Sequence, residues 1–166
     1  MRKNKRCSNS GNSFNFVEIP FDIQVLATLQ SGSVYYFQED ARDFSSTAPH
    51  YFVVVNIEPQ TEELLILVCA SSQVARRQEA IKRLGYPEET LVLMTSEDYE
   101  HFTKETVIDC NRVFLKTTRE IIDKGQQGKL RICSEKMPSK IVKQLQSGLI
   151  ASPKISRKVK NMLKMD

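Results

Sequence analysis

Pro49-His50-Tyr51-Phe52-Val53-Val54-Val55-Asn56-Ile57, a polar turn Glu58-Pro59-Gln60-Thr61-Glu62-Glu63, and Leu64-Leu65-Ile66-Leu67-Val68-Cys69-Ala70, closing on Ser71-Ser72-Gln73, occupy the middle of this chain. Each apolar run is rich in β-branched or aromatic residues and too short for a buried helix, and the turn between them carries a proline. That pattern predicts two antiparallel strands joined as a hairpin. An antiparallel pair brings the chain back to the end where it started. His50, at the start of the first strand, is therefore expected beside Ser71 and Ser72 at the end of the second, which makes that end the place to look for chemistry.

Working outward towards the N-terminus, Pro20 at a first-turn position, apolar Phe21, Val25, Leu26 and Leu29, and Gly32 just beyond fit a short amphipathic helix within 14–30. A strand follows over Ser33–Phe37. A charged loop over 38–48, with Arg42 and Asp43, leads into the hairpin. Residues 1–13 are Asn, Ser, Gly and basic residues, and are expected to be a disordered tail. On the other side, Ala75–Leu84 reads as a helix stopped by Gly85, with Arg76, Arg77, Lys82 and Arg83 forming a basic surface suited to phosphates. The ordinary alternative is a solvated face. Next come a strand over Leu91–Thr95, a short helical turn capped by Ser96, and a solvated loop with His101. Thr106–Cys110 and Arg112–Leu115 are expected as one long or bulged strand. A helix over Thr118–Lys124 stopped by Gly125 and a half-exposed strand over Lys129–Cys133 follow. Pro138 and Gly148 bracket a helix, and a last basic amphipathic helix starts at Ser152-Pro153.

The 166 residues suit one domain with a substantial core. Strands without βαβ alternation, interrupted by short helices, predict an α+β fold: a small curved antiparallel sheet or barrel with C-terminal helices packed on it. The expected boundaries are 1–13 for the tail, 14–150 for the sheet domain with its helical insertions, and 151–166 for the last helix. The net charge is +4, but residues 1–6 and 154–166 carry +4 each, which leaves −4 for the rest. An anionic partner would meet the ends first. Cys7, Cys69, Cys110 and Cys133 lack zinc-ligand spacing, so no metal is expected. The basic start has no apolar segment after it, and the longest apolar run, Leu64–Ala70, is far short of a membrane span. These features predict a reducing, cytoplasmic setting and no membrane.

The order of these segments resembles the MazF/PemK toxin ribonucleases, whose SH3-like barrel is shared with CcdB-like gyrase poisons. The resemblance covers about residues 30–147. It lies in Gly32-Ser33-Val34-Tyr35, in Pro49 before Val53-Val54-Val55, in Ala70-Ser71-Ser72, in Thr106–Cys110 followed by Arg112-Val113-Phe114, and in Gly128-Lys129-Leu130. It implies an SH3-like barrel and cleavage of single-stranded RNA by the ribose 2′-OH, without metal or other cofactor. It also implies a homodimer and an antitoxin partner. Such a reaction needs a base at the 2′-OH and donors on the phosphorane oxygens.

Carried over by position, the hydroxyl role falls on Ser71 or Ser72. The family's arginine position falls on Ala48, which cannot serve. His50, whose imidazole suits proton transfer near neutrality, and Arg42 are the candidates to compensate. Ordinary roles also stand: His50 as a strand-edge histidine bonded to a neighbour, and the serines as a turn. Asp109 reads as structural, and Tyr35, Tyr36 and Tyr51 as core or groove wall. Because of Ala48, a second function stands beside the nuclease: a non-catalytic module that binds nucleic acid or protein, including gyrase in the CcdB manner. A third has the last helix docking a partner.

Overall fold

The computed structural model describes residues 18–164. In chain order they form α1 (Phe21–Thr28), β1 (Val34–Phe37), β2 (His50–Val54), β3 (Leu65–Ser71), α2 (Val74–Leu84), a 3-10 turn (Glu88–Thr90), β4 (Leu91–Met94), β5 (Thr106–Asp109), β6 (Phe114–Lys116), α3 (Thr118–Gln126), β7 (Leu130–Ile132), α4 (Ser139–Ala151) and α5 (Arg157–Met162). The tail expected over 1–13, and the part of the first helix expected over 14–17, lie outside the described residues.

β2 and β3 pair antiparallel with Phe52 opposite Cys69, Val53 opposite Val68 and Val54 opposite Leu67. They form the centre of an antiparallel seven-strand sheet in the order β4-β5-β3-β2-β1-β7, with β6 also on β3. Their apolar runs are continuous rather than alternating because both faces of the sheet are covered. On one face, Tyr35, Phe37, Phe52, Val54, Leu65 and Leu67 pack with Val25 and Leu29 of the α1 segment and Ile121 and Ile122 of α3. On the other, Val34, Val53, Ile66, Val68 and Ile108 pack with Ile141, Val142, Leu145 and Leu149 of α4. Ile155, Val159 and Leu163 join this second cluster, so the C-terminal segment packs on its own chain. Among the described residues no pairing joins β4 to β7, and the sheet is open.

Asn56 closes the hairpin from inside. Fully buried, it donates from Nδ2 to Leu64 O at 2.9 Å and accepts the Ile66 N–H at Oδ1 at 2.6 Å. Asn56→Ala leaves the buried Ile66 N–H without a partner, while the Leu64 carbonyl stands at a half-buried position. A loss of about 1–3 kcal/mol is expected, the cost of one buried group left unsatisfied; urea unfolding measures it.

Along its other edge β3 meets two strands. Ala70 is opposite Ile108, and Leu67 is opposite Phe114. Three steps along β3 thus span six on the facing chain, and the extra residues bulge out around Cys110–Val113. Asn111 pins this bulge: its Nδ2 donates to Thr90 Oγ1 and to Asp109 Oδ1, both at 2.9 Å, and its Oδ1 accepts the Ser152 hydroxyl at 2.7 Å.

Several helix ends differ from the sequence expectation, for local reasons. Pro20 is the residue before α1 rather than inside its first turn. Gly125 lies within α3, where a Cβ would come within 1.8 Å of the Phe21 ring. The stop is Gly128, at φ 70°. Its N–H reaches Gly125 O at 2.9 Å while the Lys129 N–H reaches Lys124 O at 3.0 Å, a pairing that a left-handed residue makes possible. Gly148 likewise does not end α4, which runs on to Ala151. It permits a close approach instead, since a Cβ would sit 2.7 Å from Glu89 O and 3.0 Å from Cys110 Sγ. Gly148→Ala is expected to cost about 1–3 kcal/mol through overpacking, read as a lower melting temperature.

The final helix starts at Arg157 with Ser156 as its cap, not at Ser152-Pro153. Thr95–Asp98 makes a turn without helix, in which Asp98 Oδ2 accepts the Thr95 N–H at 2.9 Å. His101 is packed rather than solvated: partly buried, it lies 6.0 Å from the Tyr51 ring and 5.2 Å from that of Tyr99. No helix among the described residues is long and apolar enough to cross a membrane.

Candidate functional site

The β2–β3 hairpin does return His50 and Ser71 to one end, and a cleft of about 650 Å³ opens there. Its floor is sheet, with His50, Cys69, Ser71 and Phe114. One wall is α2, which follows directly from Ser71 through a short turn. The 3.6-residue period places Arg76, Arg77, Ala80 and Arg83 on the cleft. The opposite wall is the loop 38–48, which contributes Phe44, Ser45 and Ser46, and the bulge beside β5 contributes Asp109 and Arg112.

His50 is held at both ring nitrogens. Nδ1 lies 3.3 Å from Ala70 O and Nε2 lies 2.7 Å from Ser46 Oγ. A carbonyl oxygen can only accept, so in the neutral ring Nδ1 carries the hydrogen and Nε2 presents its lone pair to the serine hydroxyl. The Phe44 ring meets the imidazole edge-on at 5.4 Å. His50 is therefore an oriented proton acceptor whose hydroxyl partner faces the cleft.

Four arginines line the cleft against two carboxylates, Glu79 and Asp109. Arg112 lies over the rings of Phe114, at 4.9 Å, and Phe44, at 5.3 Å, contacts that hold a guanidinium in place without spending its donors. Its ion pair with Asp43, at 2.9 Å, has a partner that is 81% exposed and adds little. Arg77 is nearly unspent: Nη1 is 3.4 Å from Asp109 Oδ2, and its buried Nε has no partner. A buried donor without an acceptor is where an anionic ligand gains most. Cys69 faces the cleft too, but burial pushes its thiol up to about 12 despite the opposing charges of Arg77 and Arg112. At neutral pH it is a protonated thiol and a poor nucleophile.

Of the residues singled out from sequence, His50, Ser71, Arg76, Arg77 and Arg83 line the cleft together. Ser72 and Arg42 are exposed and do not line it, and Lys82 points away on the outer side of α2. Ala48 is exposed and outside the cleft. Tyr35 is buried under α1 and α3, and Tyr36 and Tyr51 meet at 4.7 Å with their rings tilted by 45° on the opposite face of the sheet. Sequence reasoning missed Ser46, Phe44 and the role of Arg112. The spacing Ser46-x-x-x-His50 was legible. That the loop folds back to make the two residues touch was not.

The class that these observations define is an α+β protein whose antiparallel sheet carries an arginine-lined cleft with one oriented histidine. No protein-family model matches the chain, and no curated protein matches it.

Proposed function

We propose that the cleft binds single-stranded RNA and cleaves it by attack of the ribose 2′-OH, in the manner of the MazF/PemK nucleases. The observation that carries this reading is the orientation of His50. Nε2 already accepts a hydrogen bond at 2.7 Å, and a 2′-OH taking the place of the Ser46 hydroxyl would be positioned to lose its proton. O2′ then forms its bond to phosphorus and the P–O5′ bond breaks, with the 5′-oxygen taking a proton from water. The products are a 2′,3′-cyclic phosphate and a 5′-hydroxyl. In place of Arg42, which stands outside the cleft, Arg77 and Arg112 supply charge to the phosphorane, and Ser71 donates to a phosphate oxygen. Arg76 and Arg83 continue the basic wall along the strand's path, where each phosphate contact adds to a steep salt dependence.

The SH3-like barrel belongs to this proposal. Support for it is the way β3 carries β2 on one edge and both β5 and β6 on the other, the sharing of a strand between two sheet segments that a small barrel requires. A protein partner, as antitoxin or second copy, is supported by the α1 region: Ile23 and Leu26 of the helix and Ile19 just before it are 52–59% exposed apolar side chains.

The deciding experiment incubates the protein with mixed-sequence RNA in excess EDTA and maps the ends. Cyclic phosphates and 5′-hydroxyls are expected. The absence of arginine at Ala48 favours a second reading, a module that binds RNA without cutting it. Intact RNA, bound with a strong salt slope, would select it.

A further inference from the structure

In the free protein the hydroxyl that His50 holds belongs to Ser46. We propose that Ser46 is itself a nucleophile, activated by His50, and that the cleft thereby opens phosphodiesters that have no neighbouring 2′-OH, through a phosphoseryl intermediate. This activity shares His50 and the arginines with the nuclease reading but does not depend on it.

Three features support the assignment. The first is the relay of hydrogen bonds: the Ala70 carbonyl fixes Nδ1–H at 3.3 Å, and Nε2 faces Ser46 Oγ at 2.7 Å. A nucleophile, a base in hydrogen-bond reach and a third group orienting the base are the elements of an activated serine. The Ala48 N–H, 3.3 Å from Ser46 Oγ, occupies an oxygen lone pair, which leaves the hydroxyl hydrogen for the imidazole. The second is selectivity among the nucleophiles on the cleft. The Cys69 thiol stays protonated, and the Ser71 hydroxyl accepts from the Gln73 N–H at 3.2 Å with no base beside it. The third is charge: Arg77 and Arg112 line the same cavity, Arg77 with its carboxylate partner only at 3.4 Å and Arg112 paired with a largely exposed aspartate, which suits an anionic phosphoryl group rather than a neutral ester.

The reaction balances without a redox partner. Ser46 Oγ bonds to phosphorus as its proton passes to His50 Nε2. The bond from phosphorus to the leaving oxygen breaks, and that oxygen takes the proton from His50. Water then attacks phosphorus and gives its proton to Nε2. The P–Oγ bond breaks, and Ser46 recovers its hydrogen. One diester and one water become a monoester and an alcohol.

The test incubates the full chain with bis(p-nitrophenyl) phosphate in EDTA. It follows p-nitrophenolate and maps acid-quenched protein by mass. Release is expected, with a p-nitrophenylphosphoryl group on the peptide carrying Ser46. Ser46→Ala should lower release by about 10²-fold or more, while Thr47→Ala, exposed and outside the cleft, retains it and so controls for disturbance of the loop. Three results would overturn the proposal: no release by the folded protein, release undiminished in Ser46→Ala, or the group found on another residue. The substrate has no 2′-OH, so the outcome is independent of RNA cleavage. Cyclic phosphate ends without release would retain the nuclease alone, and release without RNA cleavage would retain the serine chemistry alone.

Discussion

Replacing His50 with alanine is expected to lower the rate of the proposed RNA cleavage by about 10²–10⁴-fold, the range for loss of a positioned general base. The fold should survive. His50 is only partly buried, and its hydrogen bonds go to Ala70 O and Ser46 Oγ. A typical hydrogen bond contributes about 1 kcal/mol, against several for the whole domain. Initial rates on a defined RNA, with circular dichroism of both proteins, separate the two effects. A His50→Ala variant that cuts at the wild-type rate would remove His50 from the chemistry and leave Ser71 and the arginines to explain it. Because the proposed base would act through one lone pair in a fixed direction, His50→Gln should rescue packing but not rate.

The largest effect on stability should come from Lys116→Met. Glu39 has a side chain only 1% exposed, and its Oε1 accepts from Lys116 Nζ at 3.0 Å. The same oxygen receives the N–H groups of Asp40, at 2.9 Å, and Ala41, at 3.0 Å. Removing the ammonium leaves a carboxylate in the interior with no counter-charge, a change that costs about 3–5 kcal/mol. The double variant Glu39→Gln with Lys116→Met should regain much of that loss, since it removes both charges and keeps the shape. Urea unfolding of the two singles and the double gives the coupling energy. A loss below about 1 kcal/mol for Lys116→Met would mean that water reaches the carboxylate. The pair also matters to the cleft. Glu39 begins the loop that carries Phe44 and Ser46, and Lys124 holds the same segment through Gln38 O at 3.1 Å and Asp40 Oδ2 at 2.7 Å. Loosening it should weaken the proposed RNA binding before it unfolds the protein.

The features legible in the sequence are those that depend on neighbours along the chain. The Phe52–Val55 and Leu64–Ala70 runs specified the central hairpin, because residues that must be buried on both faces have to be apolar without interruption. The return of His50 and Ser71 to one end follows from antiparallel pairing alone. Thr106–Cys110 and Arg112–Leu115 read as one long or bulged strand, with Asn111 between the two runs; the structure has two strands, β5 and β6, on either side of the bulge. Helix ends were harder. Gly125 and Gly148 look like stops, since glycine is the residue that ends helices, but here each is small so that Phe21 or Glu89 and Cys110 can approach. Such contacts come from residues dozens of positions away, and no local pattern encodes them.

The site divides in the same way. Arg76, Arg77 and Arg83 share a helix face and could be grouped by period. Arg112 and Ser46 could not. Arg112 reaches the cleft only because the bulge, pinned by Asn111 to Thr90 and Ser152, turns it onto the rings of Phe44 and Phe114. Ser46 reaches His50 only because the Glu39–Lys116 pair and the Phe44 ring fold its loop back over the sheet. By itself, then, the sequence determined which strands form, that they pair antiparallel and which end of the hairpin collects polar side chains, since these follow from periodicity and chain reversal. The tertiary structure alone decided which hydroxyl meets the histidine and which arginines face it, because those distances are fixed by packing between segments that the sequence places far apart.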